Sequence, residues 1–211
     1  MEKYGRLTVS FVKRQYYPHL LLIFLLVAFS GGFVSFKGLE NTQAAKVMEM
    51  YAAFAGILLF TPLFMPEQDR EIWDLERSKG TFMWRIYLPR ILLALVLCIL
   101  VISVFVGVMI KGGGNFDAGI LFRGSCCEIL FLGSIGFFVS ALTNQVVIGY
   151  MAAVVYYAMN IGGGKYLGKF ALFKMMRGEY ETWIFWLLGA VVLLVFGVFV
   201  REKIAMRFSA S

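Results

Sequence analysis

Charge is scarce in this chain. Asp, Glu, Lys and Arg make up only 16% of its 211 residues, too few to coat a water-soluble surface. Histidine occurs once, as His19, and cysteine three times, as Cys98, Cys126 and Cys127. They show no metal-ligand spacing and His19 has no obvious carboxylate neighbour, which disfavours a metal centre and His-based intramembrane catalysis. Adjacent Cys126 and Cys127 read as packing residues rather than a redox pair. No G-x-x-x-x-G-K-[ST] phosphate loop occurs; Lys165 follows three glycines, but Tyr166 comes next and an apolar run precedes them. The chain is therefore expected not to be an enzyme and not to hydrolyse ATP. Internal repeats are not evident, which weakly disfavours carriers built from inverted halves.

Apolar residues dominate instead: 60% hydrophobic and 17% aromatic, with a mean hydropathy of +0.78. A helix needs about 20 mainly apolar residues to cross a bilayer. Such runs are expected to span at about 18–36, 47–65, 88–110, 122–142, 146–161 and 183–200. The fourth and fifth come from one uncharged stretch between Glu128 and Lys165, divided at Thr143-Asn144-Gln145. The first run is followed by Lys37-Gly38-Leu39-Glu40 rather than a small-residue cleavage site, unlike a signal peptide. The expected fold is an all-α polytopic membrane protein of one transmembrane domain with six transmembrane helices.

Twelve of the 20 Lys and Arg fall before the first run, between the second and third with Arg90 at the start of the third, or after the sixth. That bias predicts both termini on the cytoplasmic side of a plasma membrane. The net charge of +7 then points to anionic headgroups of membrane lipids, and no nucleic-acid partner is expected. Within residues 1–17, Tyr4, Leu7 and Phe11 recur at helical spacing among Lys3, Arg6, Lys13 and Arg14, the pattern of an amphipathic interfacial helix or of a plain positive flank. Lys165 to Arg177 mixes Tyr166, Phe170, Phe173, Met175 and Met176 with four cations, which predicts a short outer re-entrant or surface helix. Lys111 to Gly119 reads as a glycine-rich outer turn.

Against this background one loop stands out. From Glu67 to Lys79, thirteen residues carry eight charges. Read as a helix, it holds three acid-first i,i+3 pairs, Glu67/Arg70, Asp74/Arg77 and Glu76/Lys79, each worth a few tenths of a kcal/mol. Gly80 ends it and Thr81 begins the next element. Ile72, Trp73 and Leu75 form an apolar patch on a charged element, suited either to a partner's groove or to lipid headgroups.

The run Glu76-Arg77-Ser78-Lys79-Gly80-Thr81, followed by Tyr87-Leu88-Pro89-Arg90 at the start of an apolar span, resembles the permease subunits of ABC type-2 exporters. The resemblance covers nearly the whole chain, although large outer domains found in bigger relatives are lacking. It implies that segment 66–85 is a cytoplasmic coupling loop carrying a coupling helix. Two copies of an ABC ATPase subunit would be its partners, with ATP and Mg bound there and no cofactor in this chain. A second permease copy, as a homodimer or as a different permease, would complete the path. Docking would fall to Ile72, Trp73 and Leu75, with register set by Glu67, Arg70, Asp74, Glu76 and Arg77 and the Gly80-Thr81 pair closing the motif.

Small permeases of this build resemble bacterial exporters of amphipathic peptides, including toxins of the phenol-soluble modulin kind; lipid or drug export is the alternative. A path between two such permeases is expected to use Phe54 and Phe60 of the second span and Tyr150, Tyr157 and Met159 of the fifth, with Met48, Met50, Met151 and Tyr156 nearby; packing or lipid contact is the plain alternative. Glu128 is the one acid well inside an apolar run and is a functional candidate by that fact, or else a partner of Arg123 or a cap at the interface. Glu49, at the outer end of the second span, is a weaker candidate, and Asn144 and Gln145 are read as serving a tight turn. A carrier not coupled to ATP, or a membrane scaffold, is the reading from another class.

Overall fold

The computed structural model describes residues 16–33, 36–69 and 84–209. The expected interfacial helix over 1–17, but for its last two residues, and the charged segment from Arg70 to Met83 lie outside them. Among the described residues there is no β-strand. Six apolar helices follow in order: α1 (Tyr17–Phe33), α2 (Asn41–Phe64), α3 (Trp84–Lys111), α4 (Ala118–Thr143), α5 (Val146–Gly163) and α6 (Trp183–Ser209). Four of them, α2, α3, α4 and α6, are long and apolar enough to cross a membrane, while α1 and α5 are shorter apolar helices. The chain thus has the build of a helical membrane protein.

Helix ends follow local chemistry that apolar runs do not report. α2 begins six residues before the expected position because Glu40 and Gln43 form a capping box. α4 begins at Ala118 because the Asp117 carboxylate accepts from the Gly119 and Ile120 N–H groups, both at 3.0 Å. It ends where Asn144 turns left-handed (φ 56), a conformation that asparagine tolerates better than most residues. The Thr143-Asn144-Gln145 division between the fourth and fifth apolar runs therefore falls where the polar side chains placed it.

α4 is the central helix, packed against α2, α3, α5 and α6. It approaches α2 closely where Gly56 and Gly133 face each other: a Cβ on Gly133 would meet the Gly56 carbonyl and the Phe60 ring, and a Cβ on Gly56 would meet the Ile129 backbone. Small residues let helices approach this closely in a bilayer, where packing must replace the hydrophobic effect between helices. α3 and α6 leave most of their apolar surface outside, as do α1 and one face of α5 carrying Val147, Met151, Val154, Val155 and Met159. The glycine-rich stretch 111–117 is more than a turn: Gly38 N–H donates to the Gly112 carbonyl (3.0 Å), Asn115 N–H to the Leu39 carbonyl (2.9 Å) and Asp117 N–H to Asn41 Oδ1 (2.8 Å), tying it to the start of α2.

A Gly133→Leu variant should lose about 2 kcal/mol through overpacking. Gly107→Leu, with open space around its Cβ, should unfold like wild type in detergent. Equal thermal unfolding midpoints for the two variants would refute the α2–α4 contact.

Candidate functional site

The charged segment starts beside a buried ion pair, and its far flank is bonded to α6 at an exposed position. After α2, a 3-10 turn over Pro66–Gln68 folds Glu67 inward until it is 2% exposed. Its carboxylate pairs with Arg90, which lies two turns into α3 and is also buried. Arg90 Nη1 additionally donates to the Leu63 carbonyl at 3.1 Å, filling one of the carbonyls that the end of α2 leaves open. Tyr87, one turn earlier on α3, packs edge-on against Phe64 with ring centroids 4.7 Å apart, and the Arg90 guanidinium carbon is 5.9 Å from the Tyr87 ring centroid.

α6 and the α4–α5 turn close the other side. Arg201 ends the sixth apolar run, yet it is 1% exposed. Its guanidinium lies 5.0 Å from the Phe64 ring and donates to Asn144 Oδ1. The Asn144 carbonyl in turn accepts from Gln68 Nε2 at 3.3 Å. Trp84 N–H donates to Glu202 Oε2 at 3.2 Å. Gln68 and Trp84, which flank the segment closely, are thus both tied to the helix bundle.

These positions revise one expectation and leave most of the set open. Glu67, read as a charge that sets register on a partner, is turned away from the surface and paired with buried Arg90, since a carboxylate withdrawn from water needs an opposite charge beside it. Arg70, Ile72, Trp73, Asp74, Leu75, Glu76, Arg77, Gly80 and Thr81 lie outside the described residues. Tyr87, Arg90, Asn144 and Arg201 form the cluster without having been singled out as a site. The available signal was an arginine at the start or end of an apolar run, which reads in sequence as an interface marker and not as a buried group.

The opposite end of the bundle holds a second polar cluster. α2 makes a π-helical turn at Met48–Ala52, a feature frequent at functional sites, and Glu49 sits in it fully buried. Its two carboxylate oxygens accept from the Met175 and Met176 N–H groups at 2.8 and 2.9 Å. Glu128 of α4 is 1% exposed, and its Oε1 has no hydrogen-bond partner. Asn160 Oδ1 accepts from Leu172 N–H at 2.7 Å, and Tyr156 OH donates to the Phe170 carbonyl at 2.6 Å. Side chains of α2 and α5 thereby hold the stretch 170–176 by its backbone.

That stretch corrects the expected outer helix. Residues 164–177 form two short 3-10 turns, Gly164–Phe170 and Met175–Arg177, around a buried link. Left-handed Gly168 (φ 56) and Phe173 (φ 61) interrupt any longer helix. Glu128 does not pair with Arg123, whose guanidinium lies over Trp183 at 4.5 Å.

The expected path residues are scattered. Phe60 is buried in the core, and Tyr157 is buried, donating to the Met50 carbonyl at 3.0 Å and touching Phe54. Tyr150 faces His19 of α1, with ring centroids 6.2 Å apart. Met159 alone among them is open to the outside. The comparisons of this chain with protein-family models, with curated proteins and with solved structures give no match.

Removing one partner of the buried pair should cost far more than removing both. Glu67→Ala is expected to lose about 3 kcal/mol or more, and Glu67→Leu with Arg90→Met to recover most of it in denaturation measured in detergent. A Glu67→Ala variant as stable as wild type would show that the pair holds nothing. At the opposite end, Glu49→Ala should speed amide exchange across 171–177 at least about tenfold, because a bond to a charged group is worth ~1.5–3 kcal/mol. Unchanged exchange there would remove Glu49 as the anchor.

Proposed function

We propose that the chain is the membrane subunit of an ATP-driven exporter and that segment 70–83 is the element through which a separate ATPase moves it. The observation that carries this reading is that both flanks of the segment are tied to the helices, the near one through the buried Glu67–Arg90 pair and the exposed Gln68–Asn144 bond, the far one through the exposed Trp84–Glu202 bond. A loop attached by flexible ends absorbs displacement. A loop whose flanks are tied to α3, α6 and the α4–α5 turn passes displacement to the helices, which is what coupling to a motor requires. The charge pattern of the segment supports docking on a soluble partner, with Ile72, Trp73 and Leu75 as the apolar contact and Arg70, Asp74, Glu76 and Arg77 setting register. Glu67 belongs to the anchor instead.

On this reading six helices span the plasma membrane with both termini and the Glu67–Arg90 cluster inside, and the stretch 164–183 lies outside. ATP and Mg are bound by two copies of the ATPase. A second copy of the permease adjoins the apolar face made by α1 and by the exposed side of α5, where Met151, Val155 and Met159 lie. The path then follows that face, so Met159 remains a lining residue while buried Phe60 and Tyr157 support the wall from behind. An amphipathic peptide is the proposed cargo, since flexible Met-rich surfaces suit variable apolar shapes. The second reading, an ion-driven carrier, draws on buried Glu128 and its unpartnered oxygen.

Co-purification in detergent with candidate ATPases separates the two. Wild type should retain an ATPase, and a folded Trp73→Ala/Asp74→Ala/Arg77→Ala variant should lose it. Equal retention by the variant, or no ATPase bound by wild type, would favour the carrier. If the complex forms, an ATPase rate that ignores amphipathic peptides yet responds to lipids would replace peptide with lipid as the cargo.

A further inference from the structure

A groove of about 1060 Å³ opens beside the first turns of α4 and α6, at the end of the bundle that holds Glu49 and Glu128. Its walls combine three cations, Arg123, Lys169 and Lys174, with Ile120, Ile184 and the aromatic side chains of Tyr180, Trp183 and Phe185. Lys174 is spent on Glu179, at 3.0 Å. Arg123 and Lys169 have no acid partner among the described residues. Each rests on a ring instead, Arg123 over Trp183 at 4.5 Å and Lys169 Nζ over Phe185 at 4.6 Å. Stacking on an aromatic face fixes a cation in place without using up its outward N–H donors. Thr182 lines the same groove, is only 9% exposed, and its buried hydroxyl has no hydrogen-bond partner. The remaining acid facing the groove, Glu181, is exposed as Arg123 and Lys169 are, so three cations face two acids and one positive charge is in excess.

We propose that this groove binds the phosphate headgroup of an anionic phospholipid, with Arg123, Lys169 and Thr182 as its donors. A phosphodiester needs several convergent donors with at least one cation among them, and Arg123, Lys169 and the Thr182 hydroxyl supply them. A lipid is preferred over a free anion because the groove continues onto apolar surface: Ile120 and Ile184 are exposed beside it. Trp183 and Tyr180 are residue types that sit at headgroup depth in membrane proteins. Because Lys169 leads into the stretch held by Glu49 and Asn160, a lipid seated here would add a contact from the bilayer to that stretch. The inference requires only that the helices span a membrane, so it stands or falls apart from any coupling to an ATPase.

Native mass spectrometry of the purified full chain, delipidated and titrated with phosphatidylglycerol or phosphatidylcholine, tests it. Wild type should bind a first phosphatidylglycerol about tenfold more tightly than phosphatidylcholine. Arg123→Gln/Lys169→Gln should bring that ratio near one, and Thr182→Val, which keeps both charges, should lower it about threefold. Lys203→Gln, far from the groove, should leave it unchanged and controls for general loss of charge. A wild-type ratio near one, or a tenfold ratio kept by the Arg123/Lys169 double variant, would overturn the proposal. Displacement of phosphatidylglycerol by millimolar inorganic phosphate would overturn the lipid assignment and make the groove a free-anion site.

Discussion

The Glu67–Arg90 pair sets terms that the rest of this end of the molecule must meet. Two charges withdrawn from water among apolar helices are tolerated only if each finds the other; here Arg90 meets one Glu67 oxygen and the Leu63 carbonyl, while Glu67 Oε2 has no hydrogen-bond partner among the described residues. That condition fixes several choices at once. α2 must break into 3-10 turns at Thr61–Phe64 and Pro66–Gln68 to bring Glu67 back under α3. The Leu63 carbonyl must face Arg90, and α3 must be long enough before the hydrocarbon to place Arg90 two turns in. Pro62 and Pro66 help, since each lacks an N–H and so loosens the regular α-helical ladder where the chain must change course.

Arg201 repeats the pattern from α6. A guanidinium on the Phe64 ring and on Asn144 Oδ1 joins the end of one helix to the turn between two others. Asn144 serves three needs: its backbone takes the left-handed turn, its carbonyl receives Gln68 and its side chain receives Arg201. Alanine there would accept only the second of these comfortably. Buried polar groups of this kind specify one arrangement, because a shifted register would leave charges without partners in a low-dielectric interior.

Much of the fold was legible because a bilayer simplifies sequence. Apolar runs between charges marked α2, α3, α4 and α6, and the polar Thr143-Asn144-Gln145 marked the break before α5. Helix starts were less legible, since Glu40, Gln43 and Asp117 act through capping, and a count of apolar residues is blind to that. The polar clusters were least legible. Glu67 and Glu71 look alike in a charged run, and only the return of the chain over Arg90 makes the first a buried anchor. Glu49 and Glu128, far apart in sequence, converge because Gly56 and Gly133 bring α2 and α4 together; the stretch 170–176 then supplies N–H donors from a segment that reads as a short outer helix.

The two ends of the bundle use opposite solutions to the same problem. Near Glu67, charge meets charge, and Arg90 also bonds the Leu63 carbonyl and lies over Tyr87. Near Glu49 and Glu128, both side chains carry acids, and the N–H groups of an irregular segment compensate Glu49. The first arrangement favours rigidity, because moving α3 against α2 separates opposite charges. The second has partners that belong to a short segment with its own turns and left-handed residues, held to the helices also by buried Leu172, Phe173 and Met175.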